Sequence, residues 1–210
     1  MTNRKLVRGD FLERLEEIAW QRPAGILLRE KDLAPEEYRK LARDVQSICE
    51  KAGVPCILHS FTGVAEELEA DALHLPLPLL RKLPGEDRGR FRQLGASCHS
   101  VADAREAQSL GCTYITAGHI FDTDCKRGLP GRGLDFLREV CGAVTIPVYA
   151  IGGIEPKRMA EIFAAGAAGA CVMSGPMVCG DVGTYFADFA GAGKAAAAAV
   201  SGETEAPSEK

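Results

Sequence analysis

Short apolar runs recur along this chain, and between them the apolar positions spread to the wider spacing of a helix face. Seven runs read as strands: AGILLRE, VPCILHS, ALHLP, LGASCHS, CTYITAGHI, IPVYAIGG and GACVMSG. The stretches APEEYRKLARDVQSICEKAG, VAEELEA, VADAREAQSLG, LDFLREVCGAV and PKRMAEIFAAG are mostly rich in helix formers, and several close on Gly at the expected stop. LPLLRKLPGEDRGRF is the weakest of the connections. Strand alternating with helix predicts parallel βαβ units. At 210 residues the expectation is one α/β domain, a (β/α)8 barrel, which needs an eighth strand. A helix over GDFLERLEEIAWQR leaves MTNRKLV as the first strand or the stub of one, short and polar for the part. The barrel is assigned to 1–190. Residues 191–210 read as an Ala-rich, polar tail in which the Ala run extends a terminal helix and the last dozen residues are disordered.

Composition narrows the partners. The formal net charge of -4 gives no electrostatic reason to expect nucleic acid, so a small molecule is the expected partner. The eight cysteines include no C-x-x-C spacing, and several sit in apolar runs such as VPCIL and GACVM, where Cys behaves as a small buried hydrophobe. This argues against a disulfide scaffold or a Cys-rich zinc site. No run reaches the roughly 18 apolar residues of a membrane span, and MTNRKLVRGD has no apolar signal-peptide core. A reduced, cytoplasmic protein with no membrane partner is expected.

In a parallel barrel the working groups stand at the C-terminal ends of the strands and in the loops that follow. Those ends bring onto one surface Arg29, Glu30 and Lys31; His59 and Ser60; His74; Ser97 and His99; His119 with its loop to Arg132; Gly152 and Gly153; and Ser174 and Gly175. All four histidines are in that set, although a hydrogen-bonded structural role is the simpler reading for His59, His74 and His99. AIGGI and VMSG close the last two strands before helical stretches, the usual place for phosphate-binding turns; tight turns alone are the plainer explanation of each. TAGHIFDTDCKRGLPGRG is longer than the usual βα connection. It reads as an active-site cover, with Lys126, Arg127 and Arg132 able to meet an anion, or as a solvated flexible loop. Cys125 is read as a packing residue. His119 ends the strand before this loop, and an imidazole there can take a proton from one carbon and return it to another without a cofactor.

The segments ILLREKDL, ASCHS, AGHIFDTDCKRGLPGRGL, VYAIGGI and AGACVMSG resemble, in order and spacing, the motifs of the thiamine phosphate synthase and thiazole tautomerase superfamily over roughly residues 2 to 178. The resemblance implies the barrel and a place in thiamine biosynthesis. Two activities compete within it. The synthase joins a pyrimidine diphosphate to a thiazole phosphate with magnesium held by acidic residues, in an IND-like stretch after the third strand and a HLGQED-like stretch after the fourth. This chain reads LHS and HLPLPLL there, without the carboxylates.

The tautomerase carries a GH-x-F-x-T-D-C-K-x-G-x-P-x-RG segment, reproduced at 118–133. It implies His119 as the acid/base that converts the exocyclic-alkene carboxythiazole phosphate into its aromatic isomer. Gly152, Gly153, Ser174 and Gly175 would take the phosphate, Arg29, Lys31 and Lys126 the carboxylate, with Ser97 in the same binding set. The expected activity is therefore that of a thiazole tautomerase, an isomerase needing no cofactor and no metal and acting on a small phosphorylated thiazole. The alternatives are a non-catalytic thiazole phosphate-binding regulator and, behind it, the magnesium-dependent synthase. Pairing into a homo-oligomer is left open.

Overall fold

The computed structural model describes residues 1–126 and 128–201, with side chains to residue 193. Seven strands, β1 (Ile26–Leu28), β2 (Cys56–His59), β3 (Ala72–Pro76), β4 (Gln93–Cys98), β5 (Tyr114–Gly118), β6 (Val148–Ile151) and β7 (Gly169–Cys171), pair in sequence order. Every pairing is parallel. Parallel neighbours need a crossover. The connections carry α1 (Phe11–Trp20) ahead of β1, then α2 (Pro35–Ala52), α3 (Thr62–Glu67), α4 (Leu77–Lys82), α5 (Gly85–Arg88), α6 (Val101–Ser109), α7 (Gly133–Ala143) and α8 (Met159–Ala164), with α9 (Ser174–Val178) and α10 (Val182–Ser201) after β7.

α2 shows how these elements are written. Pro35 occupies the first turn, where its missing N–H costs nothing, and the Glu37 carboxylate accepts the Ala34 N–H at 3.1 Å. Tyr38, Ala42, Val45, Ile48, Cys49 and Ala52 form the buried stripe. Gly53 ends the helix at φ 68°, a left-handed conformation natural to glycine. The Tyr38 hydroxyl donates to Leu28 O at 2.7 Å and accepts the His59 N–H at 2.9 Å, fastening α2 to the ends of β1 and β2. The core is continuous, with Leu28, Leu58, Leu73, Leu94, Ile115 and Leu137 shielded from solvent. Each such side chain contributes about 1.5–3 kcal/mol of burial.

The predicted closed ring of eight strands is corrected to a curled sheet of seven. MTNRKLV makes no strand. Met1 and Thr2 reach both sheet edges: the Met1 ammonium donates to Val172 O at 3.0 Å, and the Thr2 N–H to Leu27 O at 2.9 Å. The Asn3 side chain then accepts the Lys5 N–H and caps a 3-10 turn over Arg4–Leu6, which takes the chain out of the strand direction. At the N-terminal ends of the strands a cavity of about 400 Å³ is left among residues that include Met1, Gly25, Leu27, Tyr149, Ala170 and Met177. Side-chain layers normally fill that volume in an eight-stranded barrel.

The weak connection LPLLRKLPGEDRGRF forms the short α4 and α5. The Ala run lies within α10, and the disorder expected at the end of the chain falls, beyond residue 201, outside the described residues. Among the described residues no helix is long and apolar enough to cross a membrane.

Candidate active site

The C-terminal ends of the strands bring most of the anticipated side chains to one face. β1 runs directly into Arg29, Glu30 and Lys31. Glu30 is buried, yet its charge is answered: it accepts from the Thr2 hydroxyl at 2.7 Å, the Arg4 N–H at 3.0 Å and the Arg4 guanidinium at 3.1 Å. The Asp32 carboxylate is held by Arg4 through two hydrogen bonds and by Lys5 at 3.0 Å, which lowers its pKa well below the carboxylate range. The Arg29 N–H in turn donates to Thr2 Oγ1 at 2.9 Å. The N-terminal segment therefore occupies the acids of this loop.

Arg29 and Lys31 are left without acidic partners among the described residues, and so is Lys126 of the β5–α7 loop. Desolvation, then the neighbouring charges of Arg29 and Lys126, lower the Lys31 ammonium below the ordinary lysine value. The three cations thus stand in each other's field on this face.

His59, at the end of β2, and His74, in the middle of β3, stand in register, their rings stacked at 5.7 Å. The Ser60 hydroxyl lies 2.6 Å from His59 Nδ1, and His74 is held between the Tyr114 hydroxyl at 3.0 Å and the Ser97 hydroxyl at 2.9 Å. Desolvation drives His59 down to about 2, helped by His74, Lys31 and Arg29; it drives His74 down to about 3, helped by the Met1 ammonium and Lys31. Both imidazoles are thus neutral at physiological pH. Gly95 stands between His74 and Tyr114 in the sheet register, where a Cβ would overlap the Tyr114 ring. His99 donates from Nδ1 to Gly118 O at 2.8 Å.

His119 follows β5 and is half-buried; its Nε2 lies 3.2 Å from Leu129 O and donates to that carbonyl, tying the imidazole to its own loop. Gly131 donates to Asp122 Oδ1 at 2.7 Å, closing the loop from within. Arg132 lies over the Phe136 ring of α7, and Arg127 falls outside the described residues. Gly152 and Gly153 have positive φ of 99° and 64°, and a Cβ on either would run into the segment His119–Asp122. At Gly175 a Cβ would overlap the Tyr185 hydroxyl. Packing therefore already requires these three glycines. Ser174 opens α9 and is exposed.

Thr2, Arg4 and Tyr38 were missed as determinants of this site. The local signal for Arg4 is the basic start TNRKLVR, whose pairing with REKD at a sequence separation of 26 only the fold reveals.

An open face of a parallel α/β sheet, here gathering cations and two buried imidazoles, is where folds of this kind place ligand sites. The thiamine monophosphate synthase family matches residues 1–175, and the chain belongs to that family. A thiamine-phosphate synthase of Moorella thermoacetica is 38% identical over 165 residues, covering 75% of this chain and 76% of the relative. One of Syntrophomonas wolfei is 33% identical over 191 residues, covering 87% and 88%. The solved thiamine phosphate pyrophosphorylase from Pyrococcus furiosus superposes with a TM-score of 0.79 at 26% identity, covering 93% of this chain and 94% of that one.

These relatives correct the expected activity. They carry the name of a synthase, a transferase, so the tautomerase assignment and the isomerase class attached to it are withdrawn.

Proposed function

We propose that this chain is a thiamine-phosphate synthase, joining a pyrimidine carried on a diphosphate to a thiazole phosphate. The observation that carries the reading is the set of three cations, Arg29, Lys31 and Lys126, without acidic partners among the described residues. Family membership and the synthase names of the relatives support it.

In this reaction the thiazole nitrogen forms a bond to the methylene carbon of the pyrimidine as the bond from that carbon to the diphosphate oxygen breaks. The electron pair leaves on pyrophosphate. Negative charge grows on the leaving group, and fixed cations placed there lower the barrier more than they lower the ground state. Arg29 and Lys31 come from a loop braced by Thr2, Glu30 and Arg4, while Lys126 comes from the β5–α7 loop. The neutral His59 and His74 add polar surface without adding charge.

The reaction implied by the family resemblance uses magnesium, and the residues present do not fit it. Hard cations take carboxylate and carbonyl oxygens. No group of three or more His, Cys, Asp or Glu side chains able to hold a metal occurs among the described residues. His59 ends β2 directly before Ser60, and Pro76 ends β3 directly before Leu77. No step is assigned to a metal.

The test is pyrophosphate release from the two substrates together. Wild type is expected to release it only when both are present, and Lys31→Gln to lower kcat about 10²-fold, the usual cost of one donor to a developing charge. Release unchanged in Lys31→Gln contradicts the reading. The missing carboxylates favour a second reading, a protein that binds the phosphates without turnover; binding of both with no pyrophosphate released selects it.

A further inference from the structure

Among the described residues no cluster able to hold a metal stands beside the cations Arg29, Lys31 and Lys126. A diphosphate entering this face needs its charge balanced. Where a carboxylate site would supply that balance through a divalent ion, β2 ends in His59 before Ser60 and β3 carries His74 and ends in Pro76. The nearest acids on β1 are already committed, Glu30 to Thr2 and Arg4, Asp32 to Arg4 and Lys5. Asp122 spends one oxygen on the Gly131 N–H. The positive potential of Arg29 and Lys31 that helps hold His59 neutral also opposes entry of a divalent cation.

We propose that the site neutralises the diphosphate with Arg29, Lys31 and Lys126 and needs no divalent cation to bind it. The proposal rests on the synthase reading for the identity of its ligand and goes beyond it in removing the metal. Arg29 can bind two phosphate oxygens in its planar fork, and the two lysines act as point charges that follow the ligand. Purely ionic contacts of this kind weaken as salt screens them.

The experiment is isothermal titration of the full chain with inorganic pyrophosphate, once in EDTA and once in excess magnesium, with folding of each variant checked by circular dichroism. Binding in EDTA at least as tight as in magnesium is expected, because the metal competes for the pyrophosphate. Lys31→Gln and Arg29→Gln should each weaken it about tenfold, in keeping with a lost charge-assisted hydrogen bond. Binding that appears only with magnesium, no binding in either buffer, or folded variants that bind like wild type would overturn the proposal. Turnover that requires magnesium, with no binding in EDTA, sinks this inference and leaves the synthase standing. Metal-free binding without turnover of the paired substrates does the reverse.

Discussion

At the scale of single residues, the site depends on side chains far apart in sequence. Thr2 accepts the Arg29 N–H and donates to the buried Glu30. Thr2→Val keeps the shape and removes both bonds, so unfolding free energy from urea titration should fall by about 1–3 kcal/mol, the cost of stranding buried polar groups. An unchanged midpoint would show that the N-terminal stub does not brace the loop. His119 makes a different prediction: with Nε2 tied to Leu129 O, His119→Asn should raise KM severalfold through a looser loop and leave kcat within about threefold of wild type. A loss of 10²-fold or more in kcat, typical of a missing general acid/base, would contradict that. Arg29, Lys31 and Lys126 could be placed on one face because strand ends in a parallel sheet are recognisable from apolar runs. The bonds that leave them unpaired could not. They join Arg4 to Glu30 and Lys5 to Asp32 across the whole of α1, and nothing local to either segment announces them.

At the scale of elements, the strands and long helices were legible because each carries its own period and punctuation. ILL, CILH and VYAI are β-rich runs, and α2 begins at a proline and stops at a left-handed glycine. The first strand was not. MTNRKLV has too little apolar surface to earn a place in the sheet, and Asn3 turns it into a capped 3-10 segment after two residues. The loop before α7 stood out by its length, but the reason for its glycines lies in packing. At Gly131 a Cβ would stand 2.6 Å from Ile120 O and 2.8 Å from the Phe121 backbone. Gly131→Ala should therefore shift the loop, raise KM by about tenfold and cost about 1–3 kcal/mol, as overpacking does. Paired kinetic and thermal measurements check this; a variant with wild-type KM would show that the loop does not contribute to binding.

At the scale of the whole molecule, the buried histidines link stability to pH. His59 and His74 titrate near 2 and 3 in the fold, against an ordinary 6.5. Below 6.5 the unfolded chain takes up protons that the fold refuses, so the stability they contribute is complete above that value and falls as pH drops toward their folded values. Between pH 6.5 and 5.5 the two together should remove about 2 kcal/mol. His74→Gln should roughly halve that slope in denaturation followed across pH, and a profile as steep as wild type would reject this origin. The central claim, that the chain makes thiamine phosphate, is tested most directly by incubating it in EDTA with the pyrimidine diphosphate and the thiazole phosphate and measuring the product by mass spectrometry. The account predicts thiamine phosphate and pyrophosphate in equal amounts. No product above buffer, in EDTA or in magnesium, from a mixture that the Moorella thermoacetica relative converts would contradict it.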